Sequence, residues 1–158
     1  MSSIVKRDEI EAREGLAKTH FLNDNAKRVN KSLGDLTGLK NIGFHIIEIA
    51  PGHESTEFHV HLIEEECAYI LSGTGVVTID EAEHDIGPGD FIAYPAGGSP
   101  HSMRNNGTEV LRCIVVGQRL VNDIVDYPRL SKRLYRHEGG NDLVDLGAIA
   151  APTMGRKA

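Results

Sequence analysis

Two histidines, His59 and His61, stand two residues apart in an apolar segment of the chain. Residues two apart on a β-strand point to the same face, so both imidazoles can reach one ion. An acidic run follows, and its last member, Glu66, opens the next apolar segment, where its carboxylate is available as an oxygen ligand. His101 comes much later, after a turn rich in Pro and Gly.

Three neutral imidazoles and one carboxylate form a ligand set suited to Fe(II), Mn, Ni, Cu or Zn, with room for water or a substrate. A His-x-His pair also occurs on ordinary strand surfaces and in cores, and a run of glutamates is commonly a solvated loop. The spacing alone therefore leaves two interpretations open, a metal site and an ordinary strand.

The sequence around these residues predicts a succession of short strands. Apolar and β-branched runs alternate with turns of Gly, Pro, Asp and Asn, and no long helical pattern separates them. This arrangement predicts an all-β antiparallel sandwich or barrel and disfavours a parallel α/β sheet. The predicted strands are 42–50, 58–63, 67–72, 75–80, 91–94 and 110–116, with another short strand after His101.

The flanking segments predict less regular structure. A short helix is expected at 7–18, an arm with a strand at 134–137 in 119–137, and a loosely ordered tail from 139 onward. We expect one domain over 1–158, made of an N-terminal arm (1–41), a barrel (42–117) and a C-terminal arm and tail (118–158). Because an open barrel has sheet edges that need covering, we also expect a homodimer.

Composition and charge exclude several function classes. The 158 residues are 40% hydrophobic and 25% charged, which is typical of globular proteins. Acidic residues outnumber basic ones by 23 to 17, which disfavours a nucleic-acid-binding protein. No apolar stretch approaches the roughly 18 residues needed to cross a bilayer, and the charged beginning predicts no signal peptide. We expect a cytoplasmic protein that binds neither nucleic acid nor membrane.

Two longer motifs frame the candidate ligands. The first runs Gly52, HESTEF, His59-Val60-His61, LIEE, Glu66, CAYILS, Gly73. The second runs Gly89, DFIAY, Pro95-Ala96-Gly97, GSP, His101, SMR, Asn105. Both resemble, in order, the two motifs of the cupins, a family of small β-barrels. The spacer after Gly52 and the gap before His101 are each one residue longer than in that family, at turns that tolerate an insertion.

The resemblance covers residues 52–117 and implies a cupin-type jelly roll, also called a double-stranded β-helix. It implies one divalent metal ion per chain, of Zn, Fe, Mn or Ni. The metal ligands implied by the motifs are His59, His61, Glu66 and His101, with Glu65 as the alternative carboxylate.

The arm ahead of the barrel and the segment VVGQRLVNDIVDYPRLSKRLYRHEGG resemble small cupins described as sugar-phosphate isomerases. That resemblance implies a divalent ion that polarises the carbonyl of a small sugar, while a base moves a proton between adjacent carbons. The sequence leaves the base open among Glu48, Glu57, Glu65, Tyr69, Tyr94 and His45. The alternatives are an Fe(II)-dependent dioxygenase and a cupin that binds a small ligand without catalysis.

The charge distribution limits where a phosphorylated substrate can bind. Such a substrate needs a nearby cation, yet 42–117 contains only Arg104 and Arg112 as basic residues. Strand alternation from His101 turns Arg104 outward, whereas Arg112 shares a face with Ile114 and Val116. Arg112 is therefore the candidate substrate-binding residue, unless the basic flanking segments fold over the barrel mouth.

Overall fold

Short antiparallel strands make up about half of the chain in a computed structural model, which describes residues 2–155. The helices are α1 (Arg7–Glu11) and α2 (Leu33–Thr37), with 3-10 turns at Pro128–Leu130 and Leu146–Ala148. The strands are β1 (Leu16–His20), β2 (Asn23–Ser32), β3 (Ile42–Ile49), β4 (Val60–His61), β5 (Glu66–Ser72), β6 (Gly75–Ile79), β7 (Ala82–Ile86), β8 (Phe91–Tyr94), β9 (His101–Arg104), β10 (Leu111–Gln118), β11 (Asp123–Tyr127), β12 (Lys132–His137) and β13 (Gly140–Asp145). Within the described part of the chain, no helix has the length and apolar character needed to cross a membrane.

The strands form three sheets that surround one core. One sheet has six strands in the order β1-β2-β3-β10-β5-β8, another has four in the order β13-β12-β11-β4, and the third is β7-β6-β9. An isolated bridge between His59 and His101 connects the two smaller sheets. The strands are antiparallel, as their sequence pattern predicts, and the architecture is the jelly roll that the resemblance implies. The expected homodimer stays a prediction.

The core lies between the six-stranded sheet and the sheet containing β6 and β9. Its most deeply buried side chains, Ile49, Ile70 and Leu111, project from β3, β5 and β10. Alternation along β5 buries Ala68 and Ile70 on one face and leaves Tyr69 43% exposed on the other. Glu66 shares the inner face with Ala68, so the strand that fills the core also presents the carboxylate.

The flanking segments contain more strand than the sequence predicts. The first helix ends at Glu11 rather than continuing to 18, because Gly15 adopts a φ of 79° and the following residues pair with β2. Strand β13 pairs with β12 where a loosely ordered tail is expected. Both β1 and β13 are mostly exposed and are held by sheet hydrogen bonds. Neither strand therefore shows the alternation of apolar and polar residues that marks a half-buried strand in a sequence. The tail residues 156–158 lie outside the described residues.

Gly73, which directly follows β5, and Gly75, which begins β6, have a steric role. Gly73 adopts a φ of 77°, and a Cβ there would lie 2.4 Å from the carbonyl oxygen of Val110. At Gly75 a Cβ would lie 2.7 Å from the carbonyl oxygen of Arg104. Any larger residue would push neighbouring strands apart, which explains why the turn contains Gly at both positions.

Asn105, the last residue of the second motif, satisfies buried backbone groups after β9. Its side chain is fully buried. Its amide Nδ2 donates to the carbonyl oxygens of Ile49 and Glu109 at 2.7 and 2.8 Å, and its Oδ1 accepts from the N–H of Gly107 at 2.9 Å. One side chain thus fixes the end of β3 and the loop between β9 and β10.

Replacing Asn105 should destabilise the barrel. Asn105→Ala leaves three backbone groups without their partner, so we expect the free energy of unfolding to fall by about 2–4 kcal/mol in chemical denaturation. The neighbouring Asn106 is exposed, and Asn106→Ala should change stability by less than about 0.5 kcal/mol. Equal stability of the two variants would contradict this role of Asn105.

Candidate metal centre

Three strands bring the predicted ligands to one wall of a cavity. His59 directly precedes β4 and His61 ends it, Glu66 begins β5 and His101 begins β9. His59, His61 and Glu66 each offer a ligand atom within 4.8 Å of the others. His101 Nε2 lies 3.7 Å from Glu66 Oε2, and its ring centroid is 4.8 Å from that of His59. The four side chains form a single cluster.

The backbone explains why residues so far apart in sequence meet here. The N–H of His59 donates to the carbonyl oxygen of His101 at 3.1 Å, and the N–H of His101 donates to that of His59 at 2.8 Å. Residues paired in this way point to the same face of the sheet with their Cβ atoms about 5 Å apart. His61, two residues further along, shares the same face. Glu65 is exposed and does not belong to the cluster.

In each of the three histidines, a protein oxygen holds Nδ1. The acceptors are Glu57 O for His59 at 2.8 Å, Asp123 Oδ2 for His61 at 2.5 Å and Ser99 O for His101 at 3.2 Å. An imidazole that donates through Nδ1 keeps its lone pair on Nε2, which is then the ligand atom. Within residues 2–155, the buried Nε2 of His101 has no hydrogen-bond partner. The donor set therefore fits a cation, which would satisfy this atom.

The electrostatics of the cluster also suit a cation. Burial, together with the nearby His101, lowers the pKa of His59 to about 3, so this imidazole is neutral. Burial alone would raise the pKa of Glu66, but contact with His101 and the proximity of His59 bring it below its ordinary value. A neutral nitrogen ligand thus lies beside an ionised carboxylate, as a divalent metal requires.

Asp123, on β11, supports His61 from behind. It is 1% exposed, and besides His61 it accepts hydrogen bonds from the backbone N–H groups of Ile63 and Glu64 at 3.3 and 3.2 Å. Burial would lower the pKa of His61, but the hydrogen bond to Asp123 and the Glu66 carboxylate raise it above its ordinary value. A carboxylate behind a ligating histidine fixes the orientation of the ring and increases its basicity.

His61, Glu64 and Asp123 could themselves be considered a second group of metal ligands, since their ligand atoms also lie within 4.8 Å of one another. Arg136 already contacts Glu64 and lies 3.7 Å from Asp123. The negative charge here is therefore offset by a guanidinium and by backbone N–H groups. We interpret this group as the support of His61 rather than as a second metal site.

The cluster lines a cavity of about 290 Å³, a size that suits a small ligand. Two of the six candidate bases, His45 and Tyr94, line this cavity, whereas the other four do not. Burial and the nearby Arg119 lower the pKa of His45, and its Nδ1 lies 3.1 Å from the side-chain amide of Asn30. The hydroxyl of Tyr94 is buried without a partner in the described chain, and its ring stacks on His101 with centroids 3.5 Å apart.

The structure does not place Arg112 at the cavity. The inner face of β10 carries Leu111, Cys113 and Val115, so alternation directs Arg112 to the other face. There its guanidinium contacts Glu11 at 2.9 Å. The expectation for Arg112 came from strand alternation, but β10 is apolar on both faces, so its sequence does not reveal which face points inward.

Two cations from the basic N-terminal segment line the cavity instead. Lys18 on β1 and Arg28 on β2 are both part of its wall. Sequence reasoning missed them individually, although the excess of basic residues before residue 42 indicated that cations could come from this segment. Asp123 was missed entirely, because it lies in a segment predicted as an arm.

Comparison with known proteins identifies the family. The Cupin domain family matches residues 45–117. A crystal structure described as "Putative sugar phosphate isomerase" from Acidithiobacillus ferrooxidans is 49% identical, with a TM-score of 0.93 over 95% of this chain and 96% of that one. The chain belongs to the cupin superfamily.

Other relatives of this cupin cover it to different extents. A structure described as a sugar phosphate isomerase from a cupin superfamily, from Silicibacter pomeroyi, is 27% identical, with a TM-score of 0.80 over 96% of this chain and 99% of that one. An uncharacterized protein of Methanocaldococcus jannaschii is 35% identical over 66 residues, which are 42% of this cupin and 52% of that protein. The match thus spans about half the length of that curated relative. The two isomerase-like structures, in contrast, also resemble the segments on either side of the cupin domain.

Removing the support of His61 should weaken metal binding. Asp123→Asn keeps the shape of the side chain but removes its charge, and we expect the affinity for a divalent metal to fall about 10- to 100-fold in calorimetric titration. Asp126→Asn is the matched control, since Asp126 lies on the same strand and pairs with Arg133. If both variants bind metal as tightly as the unchanged protein, Asp123 has no role in the centre.

Proposed function

We propose that this cupin is a metal-dependent sugar-phosphate isomerase that holds one divalent ion, of Zn, Fe, Mn or Ni, between His59, His61, Glu66 and His101. The main support is the convergence of three histidines, each with Nδ1 engaged, on one ionised carboxylate. The isomerase part is supported by the names of the two structures that cover nearly the whole chain. The substrate would be a small aldose or ketose phosphate.

When bound, a divalent ion would supply polarisation of the carbonyl and the adjacent hydroxyl of the sugar. Of the two candidate bases that line the cavity, we assign the proton transfer to His45. Its pKa is lowered by burial and by Arg119, so the imidazole is neutral and can accept a proton. In an aldose–ketose interconversion His45 would remove a proton from the hydroxyl-bearing carbon next to the carbonyl and return it to the former carbonyl carbon, while the proton of that hydroxyl passes to the former carbonyl oxygen.

Tyr94 would act on a different part of the substrate. Burial raises the pKa of its hydroxyl, so this group remains a hydrogen-bond donor. It has no protein partner within residues 2–155 and lines the cavity beside His101. An O–H in this position can donate to a sugar oxygen and fix its orientation relative to His45.

The same two residues favour an enzyme over a cupin that only binds a ligand. A binding protein needs polar contacts but no titratable group next to the ligand, whereas this cavity contains both His45 and Tyr94. The dioxygenase alternative depends on the metal, since a redox-inactive ion would not support O₂ chemistry. Elemental analysis of the purified protein therefore distinguishes it from the isomerase.

Loss of two ligands should remove the metal without unfolding the barrel. We expect the double variant His59→Ala, His61→Ala to contain less than about a tenth of the metal of the unchanged protein in elemental analysis, since two nitrogen ligands are absent. The double variant His84→Ala, His137→Ala replaces two exposed histidines and should retain full occupancy. Stoichiometric metal in the first variant would refute the ligand assignment.

His45→Gln should slow proton transfer and leave the metal in place. We expect kcat to fall about 10²- to 10⁴-fold, because general-base catalysis is lost. The assay follows interconversion of aldose and ketose phosphates by NMR in D₂O, where a base-mediated step also introduces deuterium into the substrate. His84→Gln is the control. Unchanged deuterium incorporation in His45→Gln would exclude His45 as the base.

A further inference from the structure

Two cations face each other across the hairpin formed by β1 and β2. Lys18 is the direct partner of Arg28 in the strand register, so their side chains project from the same face. Both side chains line the cavity that contains the histidine cluster. Like charges placed directly opposite each other destabilise a sheet, so this arrangement needs an explanation.

Neither cation has a carboxylate in direct contact within residues 2–155, and the carboxylate of Glu66, which lines the same cavity, acts on Arg28 only through space. Arg112, Arg119 and Arg136 each contact an acidic side chain, whereas among residues 2–155 neither Lys18 nor Arg28 forms an ion pair. Lys18 is exposed, but a partly buried guanidinium without a paired counterion, such as that of Arg28, is costly to maintain in the empty protein. A ligand with negative charge would remove this cost.

The guanidinium of Arg28 is held ready for an anion. Its Nη1 donates to the carbonyl oxygen of Ser55, which fixes the plane of the group. Its Nε is buried and has no hydrogen-bond partner in the described chain. Nε and Nη2 therefore remain as a fork, the geometry that binds two oxygens of one phosphate or carboxylate group.

We propose that Lys18 and Arg28 form the subsite that binds the phosphate group of the substrate. This inference rests on the proposed function, because it assigns a binding position to the phosphate end of the sugar phosphate, the end that does not face the histidine cluster. A phosphate monoester carries a charge of about −1.5 to −2 at neutral pH. It therefore matches the two positive charges of Lys18 and Arg28 better than a ligand with one carboxylate group would. The cupin domain itself contributes neither cation, so substrate class is set by the N-terminal hairpin.

The test uses inorganic phosphate as the probe and the purified full chain. Arg28→Gln should weaken phosphate binding about 10- to 100-fold in calorimetric titration, since a charge-assisted bidentate contact is lost. Lys40→Gln removes the same charge at an exposed site and should bind phosphate like the unchanged protein. Acetate should bind more weakly than phosphate to the unchanged protein; equal binding would overturn the assignment to phosphate.

A second variant covers the case in which Arg28→Gln fails to fold. Lys18→Gln removes the repulsion across the hairpin, so we expect a higher melting temperature without phosphate and weaker phosphate binding. The proposal would be overturned if Lys18→Gln and every folded Arg28 variant bound phosphate as tightly as the unchanged protein. It would also be overturned if the unchanged protein did not bind phosphate.

Activity measurements separate this inference from the proposed function. If both hold, Arg28→Gln raises KM for the sugar phosphate and leaves metal content unchanged. Phosphate binding that depends on Arg28, without turnover of any aldose or ketose phosphate, would reject the isomerase and keep the anion subsite. Turnover that is insensitive to Arg28 and Lys18 would keep the isomerase and reject the subsite.

Discussion

The pair of backbone hydrogen bonds between His59 and His101 is the constraint on which the rest of the centre depends. It joins the two smaller sheets and places the His-x-His strand directly beside the histidine of the second motif. With that pairing fixed, strand alternation directs His61 to the same face, and Glu66 at the start of β5 lies beside these histidines. The cluster of histidines and Glu66 is thus a consequence of strand register rather than of flexible loops, which suits a site that must be preorganised.

The segments outside the cupin domain complete the site. Asp123 on β11 orients His61, and the β1–β2 hairpin supplies Lys18 and Arg28 to the cavity wall. The barrel alone would have the ligands but would lack the support of one of them and both cations. This division explains the charge map, in which an acidic barrel lies between basic segments.

The sequence was sufficient to predict the strands whose inner face is buried. Along β5, alternation of Glu66, Ala68 and Ile70 with more exposed residues indicates both the strand and the face that meets the core. It was insufficient for β1 and β13, which are largely exposed, so their pairing depends on hydrogen bonds to neighbouring strands rather than on a buried face. The orientation of Arg112 could not be read from the sequence for a related reason, since an apolar strand without alternation does not reveal its inner face.

The β1–β2 hairpin and the histidine cluster belong to separate stretches of the chain, although both line one cavity. A change at position 18 or 28 alters the charge of that cavity and leaves every histidine, its acceptor and the supporting carboxylate in place. The charge of the cavity wall can therefore change in evolution without any change in the histidine cluster. Homologues that share the two motifs but differ in this hairpin are expected to have diverged in the charge of what they bind.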